Sequence, residues 1–216
     1  GAGKGTITSI LAKKFNLLYL DTGATYRCIT LKLLNEKVDF NDIEKIKQVL
    51  ETTKIDIEDN KFLLDGNDVT KEIRTKKVND NVSVVSHIPE VRVALVNLQR
   101  KIAQGKNSIL EGRDIGTNVF PNANVKIYLD ASVDERVRRR VKQNEEQNIN
   151  ISEEDVRKNI ETRDFNDIHS KVAPLKKADD AIYVDSSKTN IKQTVKIISK
   201  IIKKENDMQK FIRIAL

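Results

Sequence analysis

The chain has 216 residues and a formal net charge of +7, from 39 Lys and Arg against 32 Asp and Glu. This length predicts one large domain or one domain with an insertion. A single cysteine, Cys28, excludes a disulfide framework and fits a reducing cytoplasm, and two histidines are too few for a zinc site. The excess positive charge indicates an anionic partner, and the lack of aromatics among the basic residues favours small phosphates over nucleic acid.

The predicted elements of the first half alternate between helix and strand. Apolar spacing predicts a helix over 6–15, a buried strand over 17–20, and helices over about 24–34 and 41–50. Two short runs, 55–58 and 61–64, are joined at Asp59-Asn60 and followed by a turn at Asp65-Gly66-Asn67. They predict a small antiparallel sheet inside an otherwise alternating chain.

The second half continues the alternation. A helical pattern runs over 76–104 with a break at Pro89, and the predicted strands after it are 108–111, 125–130 and 181–185, with a last helix over 190–204. Strands that alternate with helices in this way predict an α/β fold with a parallel sheet flanked by helices. No repeat, linker or apolar run of the roughly 20 residues that span a bilayer interrupts it.

A glycine-rich run opens the chain as Gly1-Ala2-Gly3-Lys4-Gly5-Thr6. It matches the second half of a P-loop, in which small residues let backbone N–H groups surround a phosphate at the start of a helix. In that pattern Lys4 reaches the β- and γ-phosphates and Thr6 lies near Mg²⁺. A flexible glycine-rich terminus is the alternative. Because the first glycine and the preceding strand are absent, we expect a truncated chain whose sheet lacks its first, central strand.

A second motif follows the strand over 108–111, with the sequence Glu111-Gly112-Arg113-Asp114-Ile115-Gly116-Thr117. An Arg beside an acid at the carboxyl end of a parallel strand predicts a phosphate-binding position, because ligands bind at that edge. The alternative is a structural Arg–Asp pair in a turn.

Together with two further motifs, these runs resemble bacterial cytidylate kinases. The further motifs are Asp21-Thr22-Gly23-Ala24-Thr25-Tyr26-Arg27 and Val172-Ala173-Pro174-Leu175-Lys176-Lys177-Ala178-Asp179-Asp180-Ala181. The resemblance covers essentially the whole chain. It implies a P-loop phosphotransferase that converts ATP and CMP or dCMP to ADP and CDP or dCDP with Mg²⁺. It also implies a core at 1–37 and 102–216 with a helical lid at about 132–165, and an NMP-binding insertion at 38–101.

The resemblance also implies site residues. For ATP they are Gly1, Ala2, Gly3, Lys4, Gly5 and Thr6 with the lid residues Arg136, Arg139 and Arg140. For CMP or dCMP they are Thr22, Tyr26, Arg27, Ser83, Arg92, Arg113, Asp114, Arg163 and Asp167. Cytosine would be read by Ser83, Arg92 and Asp114, the ribose by Asp167, and the phosphates by Arg27, Arg113 and Arg163. Catalysis would rest on Lys4, Arg113, Asp114 and Arg163.

One position departs from the family pattern. The family carries an Arg four residues before the proline of its Ala-Pro-Leu motif, where this chain has Ser170. Taken singly, the site residues also have structural readings: Ser83, Arg92 and the lid arginines as solvated helix positions, and Tyr26 as a packing residue. The alternatives for function are a UMP or AMP kinase, an inactive fragment, or a basic nucleic-acid-binding protein. We expect a cytoplasmic monomer that binds neither nucleic acid nor membrane.

Overall fold

The computed structural model describes residues 3–206 and 213–216, and these residues form two compact units. Of these residues, the core unit comprises 3–20, 103–206 and 213–216, and the insertion unit comprises 21–102. The insertion unit therefore begins at Asp21 and includes the second helix, Thr22–Asn35, whereas the boundary predicted from the sequence lies after residue 37. The assignment of core, lid and NMP-binding insertion as functional parts stays a prediction.

Helices and strands alternate along the described residues. The helices are α1 (Lys4–Phe15), α2 (Thr22–Asn35), α3 (Ile43–Thr52), α4 (Lys76–Ser86), α5 (Pro89–Ala103), α6 (Val133–Glu146), α7 (Glu153–Ile168) and α8 (Ile191–Asn206). The strands are β1 (Leu18–Asp21), β2 (Ile55–Glu58), β3 (Lys61–Leu64), β4 (Asn67–Asp68), β5 (Ser108–Glu111), β6 (Val125–Asp130), β7 (Ile182–Asp185) and β8 (Arg213–Ala215). A 3₁₀ turn at Glu72–Arg74 and a π-helical turn at Ile115–Val119 complete the regular structure.

The core unit is built on a five-stranded sheet with the order β1-β5-β8-β6-β7. The pairs β5–β8, β8–β6 and β6–β7 are parallel. Thirteen buried residues from the sheet, α1 and α8 form its main apolar cluster, among them Ile7, Leu11 and Ile198. The predicted α/β fold with a parallel sheet and flanking helices is confirmed.

The prediction that the sheet lacks its central strand is corrected. β8 lies between β5 and β6, with Ile214 opposite Ile109 on one side and Val125 on the other. Its residues come last among the described residues, whereas a P-loop strand directly precedes its loop in sequence. The pairing of β8 with β5 and β6 joins residues that are far apart in the chain, so the order of the elements in the sequence did not reveal this position.

The insertion unit has its own apolar core and the predicted antiparallel sheet. β2 and β3 pair from Ile55 opposite Leu64 to Glu58 opposite Lys61, and β4 follows. The turn between β2 and β3 has positive φ at both Asp59 and Asn60. This is the backbone of a type I′ turn, which Asn and Asp tolerate better than other non-glycine residues.

Truncating Ile198 is expected to lower the free energy of unfolding by about 2–5 kcal/mol. This α8 side chain has no solvent exposure and belongs to the core-unit cluster, so Ile198→Ala leaves a cavity there. Its neighbour Ile197 is 40% exposed, and Ile197→Ala should cost less than about 1 kcal/mol. Urea unfolding of both variants measures the difference, and equal losses would contradict the packing described here.

The single cysteine is expected to resist alkylation in the folded protein. Cys28 on α2 has no solvent exposure. Burial raises the pKa of its thiol to about 12, and the nearby Asp21 carboxylate adds to the increase. Since the thiolate is the reactive form, iodoacetamide at pH 8 should modify native protein at least about 10²-fold more slowly than the same chain in urea. Fast labelling without denaturant would contradict this placement.

In the ranges 3–206 and 213–216, every helix falls short of the length and apolar character needed to cross a membrane.

Candidate active site

The start of α1 carries the glycine-rich run and has the backbone that a phosphate-binding turn needs. Gly3 precedes the helix with φ +81°, a left-handed conformation that a side chain would strain. Lys4 is the first helical residue, and Gly3 has no side chain to cap the first N–H groups. These groups and the helix dipole give this end partial positive charge, which suits an anion.

Lys4 lies among four charged side chains of the core unit. Burial is the largest cause that lowers the pKa of its ammonium group, and the residue as a whole is half-buried. Among the charged neighbours Glu111 acts most strongly and raises this pKa, whereas Arg113 and Arg163 lower it and Asp167 raises it. Three cations thus share a small region with two carboxylates. A polyanion bound there would relieve the repulsion among the cations.

Glu111 is held at the carboxyl end of β5 by the Tyr19 hydroxyl, which donates a 2.8 Å hydrogen bond to one carboxylate oxygen. The Thr8 hydroxyl donates to the Lys4 carbonyl at 2.7 Å and lies 3.3 Å from the other carboxylate oxygen. A Cβ placed on Gly5 would lie 3.6 Å from the same carboxylate. The sequence analysis included Glu111 only as part of a motif and did not identify Tyr19. The sequence showed only a tyrosine within a predicted strand, and the structure places that strand, β1, next to β5.

Arg113 and Arg163 are both engaged by Asp167. Arg113 Nε lies 2.7 Å from Asp167 Oδ2, and Arg163 Nε lies 3.9 Å from the same oxygen. The Asp167 side chain is 18% exposed and the Arg163 side chain 63%. The structure therefore brings together three residues that the sequence had assigned separately to phosphate and ribose. The Asp167 carboxylate therefore contacts the two arginines for which the sequence predicted a phosphate ligand.

Asp114 is a buried carboxylate directly after the Arg113 position. It is 7% exposed and accepts a 3.0 Å hydrogen bond from the Asn118 amide. Its carbonyl also accepts from the backbone N–H groups of Asn118 and Val119, which anchors the π-helical turn. At Gly116 a Cβ would come within 3.1 Å of the Lys126 side chain, so this turn packs closely against β6.

The predicted lid arginines lie on α6, and two of them are held by carboxylates. Arg136 makes a bidentate pair with Asp164 of α7 at 2.8 and 2.6 Å. Arg139 Nε donates to Glu135 at 2.7 Å, and its Nη1 donates to Ser186 at 3.2 Å. The third, Arg140, is exposed. Arg136, which was predicted to bind ATP, therefore joins α6 to α7 through an ion pair.

In the insertion unit, part of the predicted acceptor set lies at the start of α2. Asp21 caps α2 by accepting from the Ala24 N–H at 3.2 Å, and Thr22 is buried. The Arg92 guanidinium lies 5.1 Å from the centre of the Tyr26 ring, a cation–π distance. Tyr26 and Arg92 are therefore in contact, from α2 and α5.

Two further acceptor residues lie on or against α4. The Arg27 guanidinium donates to the Asn79 side chain. Ser83 is exposed, and its carbonyl accepts from the Ser86 hydroxyl at 2.9 Å. Arg74, which sequence reasoning did not select, lies 3.7 Å from the Asp21 carboxylate.

The structure thus places the predicted residues in two groups. Gly1 and Ala2 lie outside the described residues. The core-unit group is Gly3, Lys4, Gly5, Thr6, Arg113, Asp114, Arg136, Arg139, Arg140, Arg163 and Asp167. The insertion-unit group is Thr22, Tyr26, Arg27, Ser83 and Arg92. Within 3–206 and 213–216, no cluster of three or more His, Cys, Asp or Glu could hold a metal ion.

Comparison with known proteins gives one consistent result. The family model described as cytidylate kinase matches residues 1–204. A cytidylate kinase of Fusobacterium nucleatum is 48% identical over 204 residues, covering 94% of each chain. Those of Leuconostoc mesenteroides and Limosilactobacillus reuteri are 47% and 45% identical, covering 93% and 95% of this chain and 92% of theirs. The chain therefore belongs to the cytidylate kinase family, whose members are nucleoside monophosphate phosphotransferases.

Proposed function

We propose that this chain transfers the γ-phosphoryl group of ATP to CMP or dCMP, giving ADP and CDP or dCDP. The observation that carries the proposal is the position of Lys4 at the positive end of α1, with Arg113 and Arg163 close enough to lower its pKa. Cations held together against their mutual repulsion suit a ligand with several negative charges. The phosphates of ATP and of a nucleoside monophosphate are such ligands.

The reaction needs positioning and charge neutralisation more than covalent chemistry. The N–H groups at the start of α1 would hold the donor phosphates, and Lys4 would stabilise the charge on the group in transfer. Arg113 and Arg163 would orient the acceptor phosphate, each by exchanging its Asp167 contact for phosphate oxygens. Guanidinium binds carboxylates and phosphates alike, so Arg113 would exchange its 2.7 Å contact for a phosphate oxygen, and Arg163 would give up only a 3.9 Å ion pair.

Mg²⁺ fits the oxygen donors at this end of α1. Magnesium takes few protein ligands, commonly one or two carboxylates together with phosphate oxygens and water. Thr6 presents an exposed hydroxyl in the first turn, and the Glu111 carboxylate lies 3.6 Å from the Cβ position of Gly5. These two residues would hold the ion. When bound, it would neutralise phosphate charge.

The cytosine of the acceptor would be read by a carboxylate, a hydroxyl and a guanidinium. Asp114 would accept from the exocyclic amine, and Ser83 and Arg92 would serve the ring carbonyl and N3. Support comes from the burial of Asp114, which keeps water from competing for its oxygens. Thr22, Tyr26 and Arg27 would bind the same nucleotide, Asp167 its ribose, and Arg136, Arg139 and Arg140 the phosphates of ATP.

An assay of ADP formation tests the proposal. ATP and Mg²⁺ are supplied with CMP, dCMP, UMP or AMP in parallel, and turnover with CMP and dCMP should exceed turnover with the other two. Preference for UMP or AMP would support another nucleoside monophosphate kinase instead. Folded protein that turns over none of the four would overturn the proposal and favour an inactive fragment.

We also propose a cytoplasmic monomer that binds neither nucleic acid nor membrane. A free, buried thiol at Cys28 supports a reducing compartment. Gel filtration tests the monomer, and a titration with polynucleotide at several salt concentrations tests the partner. Tight binding that weakens steeply with salt would favour a nucleic-acid-binding protein.

A further inference from the structure

We propose that β8 acts as the supporting strand of the phosphate-binding site: residues 213–216 position both the start of α1 and the turn that carries Arg113 and Asp114. In a P-loop the strand directly precedes its glycine-rich loop and helix. In this structure the central position of the sheet, between β5 and β6, is taken by β8.

The backbone of this segment is hydrogen-bonded on the side of the second motif. The Leu216 N–H donates to the Leu110 carbonyl at 2.8 Å, and the Gly112 N–H donates to the Leu216 carbonyl at 3.1 Å. The ladder therefore continues one residue past β8. Its last bond holds Gly112, the residue directly before Arg113. Loss of these hydrogen bonds would release the turn that carries Arg113 and Asp114, the residues proposed to bind the acceptor nucleotide.

The side chains alternate between two faces, as a strand requires. Ile214 and Leu216 are 0% and 5% exposed and share the apolar cluster of Ile7 and Leu11 on α1. Ala215 points to the other face, 3.6 Å from the Cβ position of Gly116. One face of β8 thus packs against α1, whose start is proposed to bind the donor phosphates, and the other face contacts the turn after Asp114.

The start of the segment is also specifically held. The Arg213 N–H donates to the Asn124 side chain at 2.7 Å, and its guanidinium lies 4.1 Å from the centre of the Phe120 ring. Phe120 follows the π-helical turn, and Asn124 directly precedes β6. Contacts at both ends of β8 set its register against β5 and β6.

Amide hydrogen exchange on the unaltered full chain tests the placement without needing turnover. The N–H groups of Leu216 and Gly112 should exchange as slowly as the amides of β6. Exchange of Leu216 at the rate of an unstructured peptide, with β6 protected, would overturn the proposal. The outcome of this exchange experiment does not depend on the proposed function.

A pair of matched truncations in the full chain tests the positioning role, which rests on the proposed use of ATP. Ile214→Ala and Ile198→Ala remove the same atoms from the same cluster, but only Ile214 lies on β8. We expect kcat/KM for ATP to fall about 10-fold or more in Ile214→Ala, because small displacements of positioning groups cost rate steeply. Ile198→Ala should lose stability and stay within about 2-fold of the unaltered chain.

Ile214→Val keeps most of the volume and should restore kcat/KM to within about 2-fold of the unaltered chain. Equal effects of Ile214→Ala and Ile198→Ala on folded protein would overturn the positioning role. If Ile214→Ala does not fold, the exchange rates of Leu216 and Gly112 decide. An unaltered chain that is protected at Leu216 but inactive would contradict the proposed function and leave the placement of β8 intact.

Discussion

Replacing Lys4 by alanine is expected to lower kcat for phosphoryl transfer by about 10²–10³-fold, the effect of losing one charge-stabilising donor. Lys4 is the first residue of α1, the residue is half-buried, and Glu111 is the charged neighbour that acts most strongly on its ammonium group. At a partly desolvated position, positive charge acts more strongly on a transferring phosphoryl group than it would in water. ADP formation at saturating ATP and CMP measures the change.

The chain offers a matched control on the same helix. Lys13 is exposed near the far end of α1, so Lys13→Ala removes the same charge away from the phosphate end and should leave kcat unchanged. Lys4→Arg keeps the charge but replaces a point charge by a planar fork, and should recover only part of the activity. A folded Lys4→Ala protein with unchanged kcat would contradict the role of Lys4.

Removing the Asp114 carboxylate should lower the preference for CMP over UMP by roughly 10- to 150-fold in kcat/KM, the effect of a hydrogen bond to a charged group. Cytosine offers an exocyclic amine where uracil has a carbonyl, so an acceptor-only carboxylate favours the first and repels the second. Steady-state kinetics of Asp114→Ala with both nucleotides give the ratio.

Two controls separate this effect from damage to the turn. Asn118→Ala removes the hydrogen bond that Asp114 accepts from that side chain while the carboxylate itself remains, so it should keep the preference for CMP. Asp114→Asn presents both an acceptor and a donor, and should accept UMP better than the unaltered chain does. If Asp114→Ala folds and its ratio is unchanged, cytosine is read elsewhere.

The arginine pairs explain how a site rich in positive charge is tolerated before substrate binds. Arg113 is paired with Asp167, Arg136 with Asp164, and Arg139 with Glu135. Ion pairs at exposed positions commonly contribute about 0–1 kcal/mol to stability, whereas the bidentate and largely buried Arg136–Asp164 pair is not of this kind. If Arg113 binds phosphate as proposed, exchanging its single contact with Asp167 would cost the fold little and would leave Asp167 available for hydroxyl groups of the ligand.

Local pattern allowed much of the fold to be predicted. The helix after the glycine-rich run, the turn that joins two strands at Asp59-Asn60 and the interruption at Pro89 all follow from conformational preferences of a few neighbouring residues. The structure has α1 starting at Lys4, positive φ at both turn residues, and α5 starting at Pro89. Motif order also indicated the family, which the comparisons confirm.

Contacts between distant residues could not be predicted in this way. Glu111 meets Tyr19, which is 92 positions earlier in the chain, because β1 and β5 are neighbours in the sheet. Asp167 was assigned to ribose from its motif, and its pairing with Arg113 depends on how α7 packs. Neither partner is visible in a window of ten or twenty residues.

By itself the sequence determined the class of fold, the presence of a helix after the glycine-rich run and the identity of the charged residues, because these depend on short-range preferences and on residue type. Only the tertiary structure decided that β8 is the central strand, with Ile214 between Ile109 and Val125. The physical reason is that parallel strands join through non-local hydrogen bonds and shared burial, which order in the chain does not specify.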